Sequence, residues 1–197
     1  MRLYDAAVLF KDVKMTDITS KCLEIFPHWL SGLAEDVRTI QSALAGDLNR
    51  EVKATLTGGV NYLFKSLDLV PDGIDDIGYL DDAFVLRMAS RRACNQGIEP
   101  LSEEIRAKLG RMSMDVDTIR ELLGDDLHVR FEKYTDALAN GSARGRTVEE
   151  ILDEADMASE FNAELSDFIS SYDDPGFTAD EKNIIKLKAF MEARLPK

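Results

Sequence analysis

The stretch "SLDLVPDGIDDIGYLDD", from Ser66 to Asp82, decides how this chain folds. It carries six aspartates, two glycines and one proline, interleaved with large apolar side chains. Aspartate, proline and glycine are residues that form turns. Pro71 also prevents a helix from running continuously through the stretch. We therefore expect a turn here, with one helix before it and another after it.

The aspartates of this turn have structural roles available to them. Asp68 can accept hydrogen bonds from the amides of its own turn. If the following helix begins near Gly78, Asp81 and Asp82 lie close to the positive end of its dipole. Asp81 and Asp82 would point about 100° apart on that helix, so one can face inward and the other outward. The favoured interpretation of the stretch is that its aspartates cap and brace the turn.

The alternative interpretation is a site for a hard divalent metal ion, Mg²⁺ or Ca²⁺. Carboxylates three or four residues apart share a helix face, and a turn can bring others opposite them. The candidate ligands are Asp68, Asp72, Asp81 and Asp82. Their spacing is not that of an EF-hand loop, which has acids at alternate positions and a glutamate at the twelfth. A metal site here would suit a hydrolase or a transferase.

Outward from this stretch, the apolar residues recur at helical spacing, and no convincing alternating strand is present. Upstream, the pattern predicts a helix from Thr16 or Asp17 to about Leu44, kinked or broken at Pro27, and a second from about Asn49 to Ser66. Five further helices are predicted downstream, and their expected starts are Gly78, Ser102, Asp126, Thr147 and Thr178. The last two open with Thr-x-x-Glu capping boxes. The sequence thus predicts an all-α, single compact protein of about seven helices, with one unit over residues 1–100 and an acidic helical extension over 101–197 packed on it.

Composition restricts the classes of partner. The chain has 24 basic and 37 acidic residues, a net charge of -13. A nucleic-acid partner is disfavoured because phosphates require a basic surface, and an anionic membrane surface is disfavoured for the same reason. Cys22 and Cys94 have no CxxC spacing and are expected to be reduced thiols. With no signal peptide or apolar run long enough to cross a membrane, the sequence predicts a cytoplasmic protein.

The acidic residues are concentrated near the end of the chain. Between Thr147 and Glu181 there are twelve acidic residues and no lysine or arginine. In the predicted sixth helix they follow one face, opposite an apolar stripe. Like charges at this spacing repel by about 0.2–0.5 kcal/mol per pair. This face is either a solvated surface or a docking surface for a basic protein, and the candidate partner-binding residues are Asp153, Asp156, Glu160 and Glu164.

Other motifs contribute little chemistry. The two histidines, His28 and His128, are a hundred residues apart and form no HExxH motif. Gly58 and Gly59 lie within a helical pattern, and no phosphate-binding GxxxxGK[ST] motif contains them. We interpret this pair as a place where another helix packs closely against bare backbone. The sequence identifies no catalytic residue and no cofactor-binding residue.

A longer segment, "YLFKSLDLVPDGIDDIGYLDDAFVL" from Tyr62 to Leu86, resembles the signature of the YkvA-like family of domains of unknown function. The matching positions are Asp68, Pro71, Asp72, Gly78, Asp81 and Asp82. The chain differs at Ser66 and Asp75, where the family usually has proline, and at Gly73, where it usually has an aromatic residue. The resemblance implies a small helical domain over the first hundred residues, often found in bacterial proteins and sometimes beside membrane segments. It implies no enzyme activity and no catalytic residues.

Three functions follow as hypotheses. The first is a cytosolic, non-catalytic binding or scaffold protein. The second is a metal-dependent hydrolase or transferase that uses the aspartates between Asp68 and Asp82. The third, a peripheral membrane module, is disfavoured by the net charge.

Overall fold

The protein is a bundle of helices. The computed structural model describes residues 6–197 apart from Leu67, Asp72, Gly73, Asp75 and Asp76, and it describes side chains from residue 17 onward. Within this part of the chain the α-helices are α1 (Ala6–Ser31), α2 (Leu33–Leu44), α3 (Arg50–Asn61), α4 (Leu80–Gln96), α5 (Glu103–Leu123), α6 (Asp125–Leu138), α7 (Val148–Asp153), α8 (Ala155–Ser171) and α9 (Glu181–Arg194). Two short strands, β1 (Ser142–Ala143) and β2 (Arg146–Thr147), form an antiparallel hairpin between α6 and α7. The all-α prediction is confirmed, and none of the described helices is long and apolar enough to cross a membrane.

The described residues form two helices more than expected, because two predicted helices are each divided. The first begins well before Thr16 and runs through Pro27, so of the predicted kink or break at that proline the break was wrong; α1 and α2 instead meet at Gly32. A proline removes one intrahelical hydrogen bond and bends a helix, but the packing of its flanking turns can keep it continuous. The predicted sixth helix is divided at Glu154, whose extended backbone separates α7 from α8.

Side-chain caps begin four of the described helices, α3, α5, α7 and α9. The Asn49 side chain accepts a hydrogen bond from the Val52 amide at the start of α3. The predicted box at Thr147 is present, because Thr147 and Glu150 bond each other's backbone amides. Each of these caps contributes roughly 1 kcal/mol to helix stability.

The second predicted capping box, at Thr178, is wrong. Asp180 caps α9 instead, and its carboxylate accepts a hydrogen bond from the Lys182 amide at 2.9 Å. The Thr178 carbonyl oxygen accepts a hydrogen bond from the Asn183 side chain, so Thr178 supports the helix start from outside. The sequence places two possible capping residues, Thr178 and Asp180, within three positions, and an aspartate is at least as good an N-cap as a threonine.

One hydrophobic core receives side chains from every helix, and α4 lies at its centre. All residues from Leu80 to Ser90 are buried, and α4 packs mainly against α3 and α5. The rings of Phe26, Trp29 and Phe131 surround Phe84 at centroid distances of 5.6, 5.7 and 6.3 Å, all edge-on. Such aromatic pairs add about 0.5–1.5 kcal/mol each beyond the area they bury.

A buried ion network connects α4 to its neighbours. The Arg87 side chain is 4% exposed and donates to Asp36 of α2 at 3.2 Å and to Asp115 of α5 at 3.0 Å. Its guanidinium group lies 4.1 Å from the ring centroid of Trp29. The two carboxylates and the aromatic face together compensate the charge that α4 brings into the core.

The glycine pair in α3 is a site of close helix packing, as predicted. A methyl group on Gly59 would lie 2.6 Å from Cβ of Ala89 in α4. One on Gly58 would lie 2.5 Å from the carbonyl oxygen of Leu138, at the end of α6. Both glycines therefore allow α3 to approach its neighbours more closely than any larger residue would.

We predict that Gly58→Ala destabilises the protein by about 1–3 kcal/mol, because the new methyl group meets backbone that cannot move cheaply. The matched control is Gly110→Ala in α5, where a methyl group meets nothing within 4 Å. That control should be stabilised by about 0.5–1 kcal/mol from helix propensity alone. Urea denaturation of both variants checks this, and a stabilised Gly58→Ala variant would contradict the packing interpretation.

Candidate functional site

The aspartate turn, residues 66–82, closes around a buried hydrogen-bond set. The Tyr62 hydroxyl donates to Oδ2 of Asp81 at 2.5 Å and accepts a hydrogen bond from the Leu69 amide at 2.7 Å. The Val70 amide donates to the same carboxylate oxygen at 2.9 Å. Tyr62 is 1% exposed and Asp81 is 0% exposed. The end of α3, the turn and the first residues of α4 are thereby joined through one tyrosine and one aspartate.

The local sequence places these groups. Directly after α3, one 3₁₀ turn over Tyr62–Phe64 directs the Tyr62 side chain into the core. The turn is anchored in the hydrophobic core by three buried side chains, those of Leu69, Val70 and Ile77. Polar backbone groups in so apolar a setting must find partners, and the Tyr62 hydroxyl and the Asp81 carboxylate supply acceptors for two of them.

The environment of Asp81 favours its protonated form. Burial away from water raises the pKa of the Asp81 carboxyl group to about 7. The hydrogen bonds from Tyr62 and Val70 lower this pKa, but their effect is smaller than that of burial. The neighbouring charge of Asp68 adds to the increase. Oδ1 of Asp81 is also buried and has no hydrogen-bond partner within the described part of the chain. The carboxyl group therefore holds or releases a proton near neutral pH, a property common to both structural and catalytic acids.

The other predicted metal ligands lie around this group. Asp82 is 2% exposed, so the expectation that one of the adjacent aspartates faces outward was wrong. Asp68 is half-buried, and its carbonyl oxygen accepts a hydrogen bond from Arg194 of α9 at 3.0 Å. Asp72 lies outside the described residues. Among the residues that the structure describes, no three His, Cys, Asp or Glu side chains are placed to hold a metal ion together, and a Mg²⁺ or Ca²⁺ site stays a prediction.

Two of the four predicted partner-binding acids are paired within the chain. Asp153 makes a two-pronged ion pair with Arg50 of α3, with distances of 2.5 and 2.7 Å. Glu164 accepts a hydrogen bond from Arg146 of the hairpin and lies 3.7 Å from Arg144. Hydrogen bonds from these arginines lower the pKa of both carboxyl groups. Asp153 and Glu164 therefore attach α7 and α8 to the rest of the fold.

The hairpin arginine is itself enclosed. Arg146 is 5% exposed, and its guanidinium group lies 5.5 Å from the ring centroid of Phe64 and 5.1 Å from that of Phe161. A cation between two aromatic faces and a carboxylate is stabilised on three sides. Because Arg146 is buried, the Glu164 carboxylate that pairs with it lies against the protein and is largely removed from solvent.

The other two predicted acids, Asp156 and Glu160, are exposed and form no ion pair with any described residue. Asp167 is also exposed and forms no ion pair with any described residue. On an α-helix, positions 156, 160 and 167 lie within about 40° of one another and span about 16 Å along the axis. We name Asp156, Glu160 and Asp167 the acidic row.

No protein-family model, curated protein or solved structure matches this chain. The resemblance to the YkvA-like family therefore stays a prediction based on the motif between Tyr62 and Leu86.

We predict that the buried Asp81 makes stability fall as pH rises. Between about pH 4 and pH 7 the folded state binds a proton at this carboxyl group that the unfolded chain, with its ordinary pKa near 3.9, has released. The contribution is fully present below about pH 4 and is lost as pH passes 7. In Asp81→Asn the amide cannot titrate and can still accept hydrogen bonds from Tyr62 and Val70. The unfolding free energy of the parent minus that of the variant should therefore decrease by a few kcal/mol, in order of magnitude, across this range.

Urea denaturation of both proteins at several pH values between about 4 and 8 measures this difference. Taking the difference removes the contributions of other acids, such as Glu35 and Glu150, whose lowered pKa values act in the opposite direction. A difference that stays constant with pH, or that increases with pH, would contradict the raised pKa of Asp81.

Proposed function

We propose that this protein is a cytoplasmic, non-catalytic binding or scaffold module that docks a basic protein through the acidic row of α8. The observation that carries the proposal is the contrast within one acidic segment. Asp153 and Glu164 have arginine partners in the chain, whereas the three carboxylates of the acidic row point to solvent without an ion pair among the described residues.

The charge pattern of the row favours a partner. Asp156 and Glu160 are four residues apart, a spacing at which like charges repel by about 0.2–0.5 kcal/mol. The absence of lysine and arginine between residues 147 and 181 leaves this repulsion uncompensated locally. A partner with basic side chains at matching intervals would relieve the repulsion on binding and would be steered to the surface by its charge.

The row is presented on a firmly held helix. Phe161 and Leu165 are buried on the opposite side of α8. The Gln41 side chain of α2 donates to the Asn162 carbonyl oxygen at 3.1 Å and to Oγ of Ser166 at 3.2 Å. Because the helix is anchored before binding, little conformational entropy is lost when a partner docks.

A metal-dependent hydrolase or transferase is the second candidate. It is favoured by one observation, the buried Asp81 carboxyl group, which has a pKa of about 7 and one oxygen without a hydrogen-bond partner among the described residues. Catalytic acids and bases have such properties. Asp81 is 0% exposed, however, so a substrate could reach it only if the turn opened. The exposed acidic row needs no such rearrangement, and we therefore rank binding first.

We predict that neutralising the acidic row weakens association with a basic partner without unfolding the protein. The variant is Asp156→Asn/Glu160→Gln/Asp167→Asn. The matched control is Glu24→Gln/Asp47→Asn/Glu192→Gln, which replaces three exposed acids on other helices and loops. Each triple variant removes three negative charges, so both carry -10 in place of -13. Proteins captured from the native cell by the parent and the control, but not by the row variant, are the expected partners.

The rate at which one such purified partner associates then distinguishes an effect of the acidic row from an effect of the net charge. It should decrease steeply between about 50 mM and about 300 mM salt for the parent and the control, and it should be slow at both salt concentrations for the row variant. Equal rates for the two triple variants would show that only net charge matters. Identical proteins captured by all three baits would leave the row as a solvated face and contradict the proposal.

A further inference from the structure

A cleft of about 330 Å³ opens between α4, α5 and α6, the helices that carry none of the acidic row. Each helix contributes one apolar side chain to its wall: Met88, Val116 and Val129. Val129 is 45% exposed, which is high for a valine within a helical bundle. The volume lies in the range of small-molecule sites, which combine apolar walls with a few polar groups.

The two arginines that line the cleft already have partners. Arg91 donates to Asp117 at 2.9 Å and to the Ser113 carbonyl oxygen at 2.8 Å. Arg120 donates through two nitrogens to Asp125 at 3.0 and 2.8 Å. Both guanidinium charges are therefore balanced within the cleft, and an anionic ligand would have to compete with carboxylates already in place.

Three polar side chains of the cleft have no partner among the described residues: the exposed Asn95 of α4, and two acceptors on α6, His128 and Glu132. His128 is 9% exposed, and its Nε2 atom is buried and has no hydrogen-bond partner within the described part of the chain. Burial lowers the pKa of the imidazole, so the ring is neutral at physiological pH and Nε2 can present a lone pair. Glu132 lines the same cleft one helical turn away, is exposed, and forms no ion pair with any residue described.

We propose that this cleft binds a small organic cation, a primary ammonium with a short apolar chain. The ammonium N–H groups would donate to the carboxylate of Glu132 and, once the His128 ring turns to bring its buried Nε2 atom into the cleft, to that nitrogen. The two residues lie on one face of α6 at i and i+4. The apolar chain would lie against Met88, Val116 and Val129. With three carboxylates and two guanidinium groups around the cleft, the local charge is -1, which favours a cation over an anion.

Histidine NMR tests the proposal directly, because the chain has only two histidines. His28 is exposed on α1 and serves as an internal reference. The probe is butylammonium chloride, and sodium butyrate is the anion of matched size, both at constant ionic strength and a fixed pH of about 7.5. We expect the Nε2 resonance of His128 to shift saturably with butylammonium while that of His28 stays constant, and we expect no saturable shift with butyrate.

Two variants assign the contact. Glu132→Gln should weaken the apparent affinity about tenfold, since the charge-assisted hydrogen bond is lost while the cleft keeps its shape. Glu160→Gln removes an equal charge from the acidic row and should leave the affinity unchanged, which also separates this site from the proposed docking surface. A saturable shift with butyrate alone, no shift with either probe, or equal affinity in the parent and Glu132→Gln would overturn the proposal.

Discussion

The fold depends on one buried carboxyl group. Asp81 enters the core at the first turn of α4 and accepts hydrogen bonds from the Tyr62 hydroxyl and the Val70 amide. Burying this group costs free energy, and the raised pKa is the measure of that cost. In return, the chain reverses direction between α3 and α4 without leaving the amides of Leu69 and Val70 unpaired. Arg194 then attaches α9 to the same turn through the Asp68 carbonyl oxygen.

The acids of α7 and α8 differ in whether they have a partner in the chain. Two of them meet an arginine supplied by another element: Asp153 meets Arg50, and Glu164 meets Arg146. The acidic row of α8 has no such partner among the described residues. Stability does not require this asymmetry, because mixed charges at the same helical spacing would attract each other. The proposed docking function gives a reason for a surface that folding alone leaves unexplained.

Local features of the fold could be predicted from sequence, and features that depend on distant residues could not. The turn around Pro71, the cap at Asn49 and the close packing at Gly58 follow from residue types and short spacings. The pairing of Asp153 depends on Arg50, which is 103 positions away in the chain. The burial of both Asp81 and Asp82 likewise depends on how completely the neighbouring helices surround α4. The motif between Tyr62 and Leu86 contained Tyr62, but only the fold brings its hydroxyl to Asp81.

The hydrogen bond between Tyr62 and Asp81 couples α3 to α4, and a double-mutant cycle measures the strength of that coupling. Urea denaturation of Tyr62→Phe, Asp81→Ala and the double variant should give a coupling free energy of about 1 kcal/mol or more, because each single change removes the same hydrogen bond. Tyr134→Phe in place of Tyr62→Phe is the control: this ring packs edge-on against Tyr62, but its hydroxyl accepts from Lys65. The control cycle should be additive to within about 0.5 kcal/mol. Additivity in the Tyr62 cycle as well would show that this hydrogen bond does not hold the turn.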